Sequence, residues 1–198
     1  MRLPKYIVRQ LGKPSGILGK FMLWSLNRSN QNMNAVALKY LEISPKDEFL
    51  EVGFGGGALL NDIMHNSNIS VAGVEISDLA IHEMTRRNKQ AVKRGMLNLA
   101  KIEHSSIPYP SRKFTKVCCV NVVYFLDDLP LMLLEINRVL KAGGRLVVCY
   151  QEIGPNERIS TSDMIEFQLD KAGFIDSVSR SNHDPQNGDF LCTTASKP

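Results

Sequence analysis

LEVGFGGGALL, Leu50 to Leu60, places four glycines within five positions, after an apolar run and before a helix-like one. Glycine carries no Cβ and accepts positive φ, so a ligand can approach the backbone closely and meet the open N–H groups of the next helix. Gly53, Gly55 and Gly57 alternate as GxGxG, while Gly53, Gly55 and Ala58 also satisfy GxGxxA, the pattern that cradles a dinucleotide. The loop alone leaves both ligands open. Glu51, two residues before the first glycine, separates them. Its carboxylate would repel a diphosphate at close range and attract an ammonium or sulfonium.

Working outward, DEFLEVGFG reads as a buried strand and GALLNDIMHN as the helix after it. ISVAGVEIS is a second strand ending at Glu75, an acid suited to ribose hydroxyls, and a long helix follows from Asp78 to about Arg94. LAKIEHS is a weaker third strand, TKVCCVNVVYF a strong fourth, and LPLMLLEINRVLKAGG a helix stopped by Gly143-Gly144. RLVVCYQE is the fifth strand, and STSDMIEFQLDKAGF is a helix capped by Ser160, Thr161 or Ser162. FIDSVSRS and DFLCTTAS are joined by NHDPQNGD, which is too short for a crossover helix, so they pair antiparallel. Before all of these, MNAVALKYLEIS forms a helix with Asn34 as its cap. Strands alternating with helices predict an α/β fold. It is a Rossmann-like seven-stranded sheet, mostly parallel with an antiparallel final strand and helices on both faces.

The 198 residues, 43% of them apolar, suit one well-buried domain. No apolar stretch approaches a membrane span and no signal core is visible, so a cytoplasmic protein is expected. Cys118, Cys119, Cys149 and Cys192 lie mostly in strand-like runs without CxxC or zinc spacing, and are expected as reduced, buried thiols. No metal site is expected, because no cluster of ligating residues has suitable spacing. The net charge of +4 is unevenly spread: Met1 to Leu41 contain no Asp or Glu but seven Lys and Arg residues. Residues 1–34 therefore stand apart as a basic helical arm or lid, ahead of a main domain over 35–198. Such an arm suits phosphate, an anionic membrane surface or an acidic substrate, and its lack of acids is shared with transit peptides.

At this point the chain resembles the class I S-adenosylmethionine-dependent methyltransferases, from about Asp47 to Val148. LEVGFGGG looks like the family's first motif and VAGVEIS like its second. The resemblance implies a cofactor site made by Glu51, Gly53, Gly55 and Gly57, with Glu75 on the ribose and Ile76 beside the adenine. EHSSIPYPSRKF is similar to the segment whose acid meets the adenine amino group, which puts Glu103 there with His104 next to it. VNVVYFLDD, with Asn121, resembles the segment after the fourth strand, and INRVLKAGGRLVV the helix–turn–strand beyond it. The family usually has Asp where Glu103 stands, and His where Tyr124 or Phe125 stands.

Methyl transfer from a sulfonium is an in-line displacement in which the protein mainly supplies orientation, worth about 7–11 kcal/mol. Tyr124, Tyr150, Gln151 and Glu152 sit at strand ends facing the cofactor, and Tyr124 is the leading candidate for positioning the acceptor. NVVY lacks the prolines of the NPPY motif, and no Pro-Cys follows the fourth strand, so base-nitrogen and cytosine-C5 chemistry are not indicated. With no large insertion to bind a macromolecule, the expected acceptor is a small molecule and nucleic acid is not the expected partner. Trp24, Asn27, Asn30, Asn32 and Asn34 give the arm the make-up of a lid over the acceptor. The same basic arm also admits a peripheral membrane contact or a lipid-like acceptor. The chain is read as a monomer or homodimer. Two alternatives stay open: an NAD(P)-dependent oxidoreductase built on the GxGxxA loop, and an RNA methyltransferase using the arm.

Overall fold

The computed structural model describes residues 4–103, 105–153 and 160–198. Helices α1 (Lys5–Gly12), α2 (Gly16–Ser29) and α3 (Gln31–Leu41) come first, followed by β1 (Phe49–Val52), α4 (Ala58–Ser67) and β2 (Val71–Glu75). Then come α5 (Asp78–Arg87), α6 (Lys89–Lys93), β3 (Leu97–Lys101), β4 (Phe114–Val120), α7 (Leu129–Val139), β5 (Leu140–Tyr150), α8 (Ser162–Lys171), β6 (Ile175–Asp184) and β7 (Gly188–Ser196). The seven strands form one sheet in the order β3-β2-β1-β4-β5-β7-β6. Strands β1 to β5 pair in parallel, while β7 runs antiparallel between β5 and β6. The expected Rossmann-like architecture is the one observed.

Every residue of β1 and β2 is buried, as expected of parallel strands covered on both faces. Alternation sends Leu50 and Val52 to the layer made by α7 and α8, with Met132, Leu133, Ile136, Ile165 and Leu169. Phe49 faces the opposite layer, against Ala37 and Leu41 of α3 and Leu60 and Ile63 of α4. Glu51, two residues on, shares the face of Phe49. A carboxylate is thus sent into the same layer as these apolar side chains.

Local caps set several boundaries. Ser77 accepts from the Ala80 N–H at 3.2 Å, Asp128 from the Leu131 N–H at 2.9 Å and Thr161 from the Met164 N–H at 3.3 Å. Three expectations about boundaries need correction. Asn34 does not cap α3 but lies inside it, because Asn30 makes the break: its N–H bonds back to Leu26 while its carbonyl accepts from Asn34. The expected division at residue 34 therefore falls within a helix. Gly143-Gly144 does not stop α7, which ends at Val139 because Leu140 turns extended to pair with Phe114. Gly143 instead takes φ +72° within β5, and its N–H donates to Lys197 O at 2.9 Å. Finally, β3 starts two residues before the expected run, and Glu103 keeps a single bridge to Ser106.

Candidate active site

Strand order reverses between β1 and β4, and beyond the carboxyl ends of these strands lies a cavity of about 450 Å³. Its floor is the glycine loop. Gly53, Gly55 and Gly57 all have positive φ, at 75°, 49° and 76°. A Cβ on Gly53 would lie 2.5 Å from Val122 Cγ2, and one on Gly57 would lie 2.5 Å from Met84 Sδ. These two glycines are required by the protein's own packing. Gly55 differs: the nearest atom to its would-be Cβ is Leu26 Cδ1 at 3.9 Å, so the space above it is open to a ligand.

Two carboxylates flank this loop. Glu75 Oε2 accepts from the Gly55 N–H at 2.9 Å, while its Oε1 accepts from the Ile76 and Ser77 N–H groups at 2.7 and 3.1 Å. Burial raises its pKa, and the three N–H donors work against that rise. With two lone pairs per oxygen, Glu75 keeps capacity for a hydroxyl donor. Glu51 is buried and lines the cavity, and its Oε2 has no hydrogen-bond partner among the described residues. Burial, and next the charge of Glu75, push its pKa well above 4.5, and the Leu60 N–H offsets only part of this. An orphaned buried carboxyl oxygen is costly, and a cation docking beside it removes the cost. The pair thus suits a ligand with a positive group near Glu51 and hydroxyls near Glu75.

The first three helices close the cavity from above through specific bonds to the sheet end. Ser77 Oγ donates to Pro14 O at 2.6 Å, and Asn27 Nδ2 to Gly56 O at 3.2 Å. Asn121 Nδ2 donates to Asn30 Oδ1 at 3.1 Å, and Asn187 Nδ2 to Ser29 O at 2.9 Å. Lys20 pairs with Glu83 of α5 at 2.9 Å. Asn27, Asn30 and Asn34 line the cavity, joined by Gln151 and Asn187. Among the described lining residues, Glu51 and Glu75 are the only titratable side chains. The rest of the lining is therefore carboxamide and apolar, with Leu26, Met33, Phe125 and Ile153 supplying much of the apolar wall.

Of the sequence-predicted site residues, Glu51, Gly53, Gly55, Glu75, Ile76 and Asn121 meet around this cavity. Gly57 shapes the loop from behind as the residue before α4. Glu103 is exposed and outside the lining, where its neighbour Ile102 stands instead; His104 lies outside the described residues. Tyr124 is 2% exposed and does not line the cavity. Its hydroxyl donates to Asn121 Oδ1 at 2.8 Å and accepts from the Gln151 N–H, so it braces two residues that do line it. Tyr150 is buried with its hydroxyl on Thr193, and neither the exposed Trp24 nor Asn32, which donates to His183 O at 3.0 Å, lines the cavity. Asn187, in the β6–β7 turn, and Arg87, whose Nη2 donates to Gly56 O at 2.7 Å, were missed from the sequence. The Asn-rich turn was a signal for the first; nothing marked the second. Among the described residues, no group of three His, Cys, Asp or Glu side chains is placed to hold a metal.

Residues 50–148, half of the chain, match the family described as Methyltransferase domain. An uncharacterised methyltransferase of Bacillus subtilis is 27% identical over 175 residues, covering 85% of this chain and 93% of that protein. A demethylmenaquinone methyltransferase of Tropheryma whipplei is 29% identical over 113 residues, 57% of this chain and 45% of that protein. In fold, the chain is similar to a phosphoethanolamine N-methyltransferase of Haemonchus contortus solved with S-adenosylmethionine. That match has a TM-score of 0.71 at 17% identity and covers 84% of this chain and 52% of that one.

Proposed function

The chain belongs to the methyltransferase-domain family as a class I S-adenosylmethionine-dependent enzyme, and on that premise we propose that it methylates a small, uncharged, partly apolar molecule held under α2 and α3. When bound, S-adenosylmethionine supplies the activated methyl group. The observation that carries the reading is the open space above Gly55 in the same cavity as the orphaned Glu51 oxygen. The residues present fit this cofactor: Glu51 matches a cationic amino-acid end, the glycine loop admits it against the backbone, and Glu75 retains acceptor capacity for ribose hydroxyls. Ile76 and Ile102 offer apolar surface for the adenine, and both line the cavity.

On the acceptor side, Asn30, Asn34, Gln151 and Asn187 can orient a polar end by hydrogen bonding, while Met33, Phe125 and Ile153 take an apolar body. Because no His or Lys is among the described lining residues, the protein's part is orientation and exclusion of water. An acceptor whose nucleophile needs little help in losing a proton suits this site best. The name of the Tropheryma relative, a demethylmenaquinone methyltransferase, supports a small acceptor. Neither the dinucleotide oxidoreductase nor the RNA alternative is favoured. Helices α1 to α3 act as the lid, and the four unpaired cysteines suit a reducing, cytoplasmic setting.

The test is a turnover screen that detects S-adenosylhomocysteine release with neutral phenols and quinols, amines, carboxylates, phosphate esters and RNA. The reading expects release to depend on a neutral acceptor. Turnover confined to anionic acceptors or RNA would replace it.

A further inference from the structure

The lid helix α2 is apolar on two opposite sides. Its inner side buries Gly19, Met22 and Leu23, with a Cβ on Gly19 leaving only 2.7 Å to Leu79 of α5. Its outer side carries Ile17, Phe21 and Trp24 at i, i+4 and i+7, exposed by 90%, 60% and 58%. The Phe21 and Trp24 rings lie 5.8 Å apart, so they form one patch rather than scattered residues. Packing explains the inner side and leaves the outer one without a partner among the described residues.

The charges carried by α1 and α2 are of one sign. Arg28 follows Trp24 by one turn on the same face, and Lys5 and Arg9 are exposed one turn apart on α1. The chain has no carboxylate from Met1 to Leu41. The acids of the adjacent α5 are already matched, Glu83 by Lys20 and Arg86 and Asp78 by Lys101. A protein groove could accept three apolar side chains, but a pair of basic helices with no acid in them complements anionic headgroups. At 14 residues, α2 is too short to span a bilayer, and no described helix is long and apolar enough to do so. It has the make-up of a helix that lies in the interface, with Trp24 at headgroup depth. We propose that the Ile17–Phe21–Trp24 face of α2 docks this protein onto an anionic lipid surface.

Trp24 is the only tryptophan in the chain, so its emission reports on this face alone. Full-length protein is mixed with vesicles of phosphatidylcholine, with or without phosphatidylglycerol, and followed by Trp24 emission and by co-sedimentation. The proposal expects a blue shift and pelleting with the anionic vesicles, weakened by salt, and affinity lower by about tenfold or more on phosphatidylcholine alone. Ile17→Ser with Phe21→Ser should abolish binding while leaving the melting temperature unchanged, since both side chains are exposed. Lys5→Glu with Arg9→Glu should remove the preference for anionic lipid. The proposal is overturned by absence of binding to either vesicle or by undiminished binding of the Ser variant. A blue-shifted Trp24 without lipid in a concentration-dependent dimer would also overturn it, assigning the face to a second copy of the chain.

Discussion

Asn121 Nδ2 donates to Asn30 Oδ1 at 3.1 Å, joining the residue that follows β4 to the break between α2 and α3. Asn121 takes φ +57°, a conformation asparagine tolerates better than most residues, and the Tyr124 hydroxyl holds its other amide atom. The junction of α2 and α3 is thus latched to the strand end that forms the cavity wall. Asn30→Ala and Asn121→Ala should each speed amide exchange in α2. In a double-mutant cycle on unfolding, the pair should couple by about 0.5–1.5 kcal/mol. Strictly additive effects would mean the contact contributes nothing to closure.

Gly53 and Gly55 should respond differently to alanine. At Gly53 the new methyl meets Val122 at 2.5 Å under φ +75°, so stability should fall by about 1–3 kcal/mol. At Gly55 the methyl meets no protein atom closer than 3.9 Å, so the cost is mainly that of φ +49°, about 1–2 kcal/mol. It does occupy the ligand's space. Denaturation and cofactor titration of both variants should therefore show Gly53→Ala losing more stability and Gly55→Ala losing affinity out of proportion to its stability.

The buried Glu51 makes a pH signature. Its pKa is raised in the folded protein, so above the ordinary 4.5 the native state keeps a proton the unfolded chain has released. The stability tied to protonated Glu51 is full below 4.5 and is lost as pH rises through the native pKa. Glu51→Gln should lose less stability over that window than the parent does. Glu75 shifts in the same direction, so the difference between the two melting curves isolates Glu51. A cationic ligand favours the ionised form, so cofactor binding should release a proton and tighten as pH rises through the same range. Calorimetry in buffers of different ionisation enthalpy reads that proton, and its absence would remove Glu51 from the cationic end.

The fold and the floor of the site were legible because both are written locally. The glycine spacing, the acid ending β2 and the alternation of strands with helices each sit within a short window, and the antiparallel pairing of β6 with β7 followed from a turn too short to cross over. The anchors of the glycine loop and the first three helices were not legible in this way. Asn187 meets Ser29 across 158 positions, and Arg87 reaches Gly56 from a helix that looked only like packing. Tyr124 lies beyond the end of β4, in the turn Val123–Phe125, and residue type alone does not tell that its hydroxyl braces Asn121 and Gln151 rather than facing the cavity. The backbone break at Asn30 also escaped, since Asn34 is as good a cap by residue type and only the bond to Asn30 O distinguishes them.

Whether the glycine loop with Glu75 seats S-adenosylmethionine is tested most directly by calorimetric titration of the parent and of Glu75→Gln with S-adenosylmethionine, its demethylated product and NAD. The expected result is one-to-one binding of the first two and none of NAD, with both affinities falling by about tenfold or more in the variant as a charge-assisted contact is lost. Binding of NAD in preference to S-adenosylmethionine, or undiminished binding by Glu75→Gln, would contradict it.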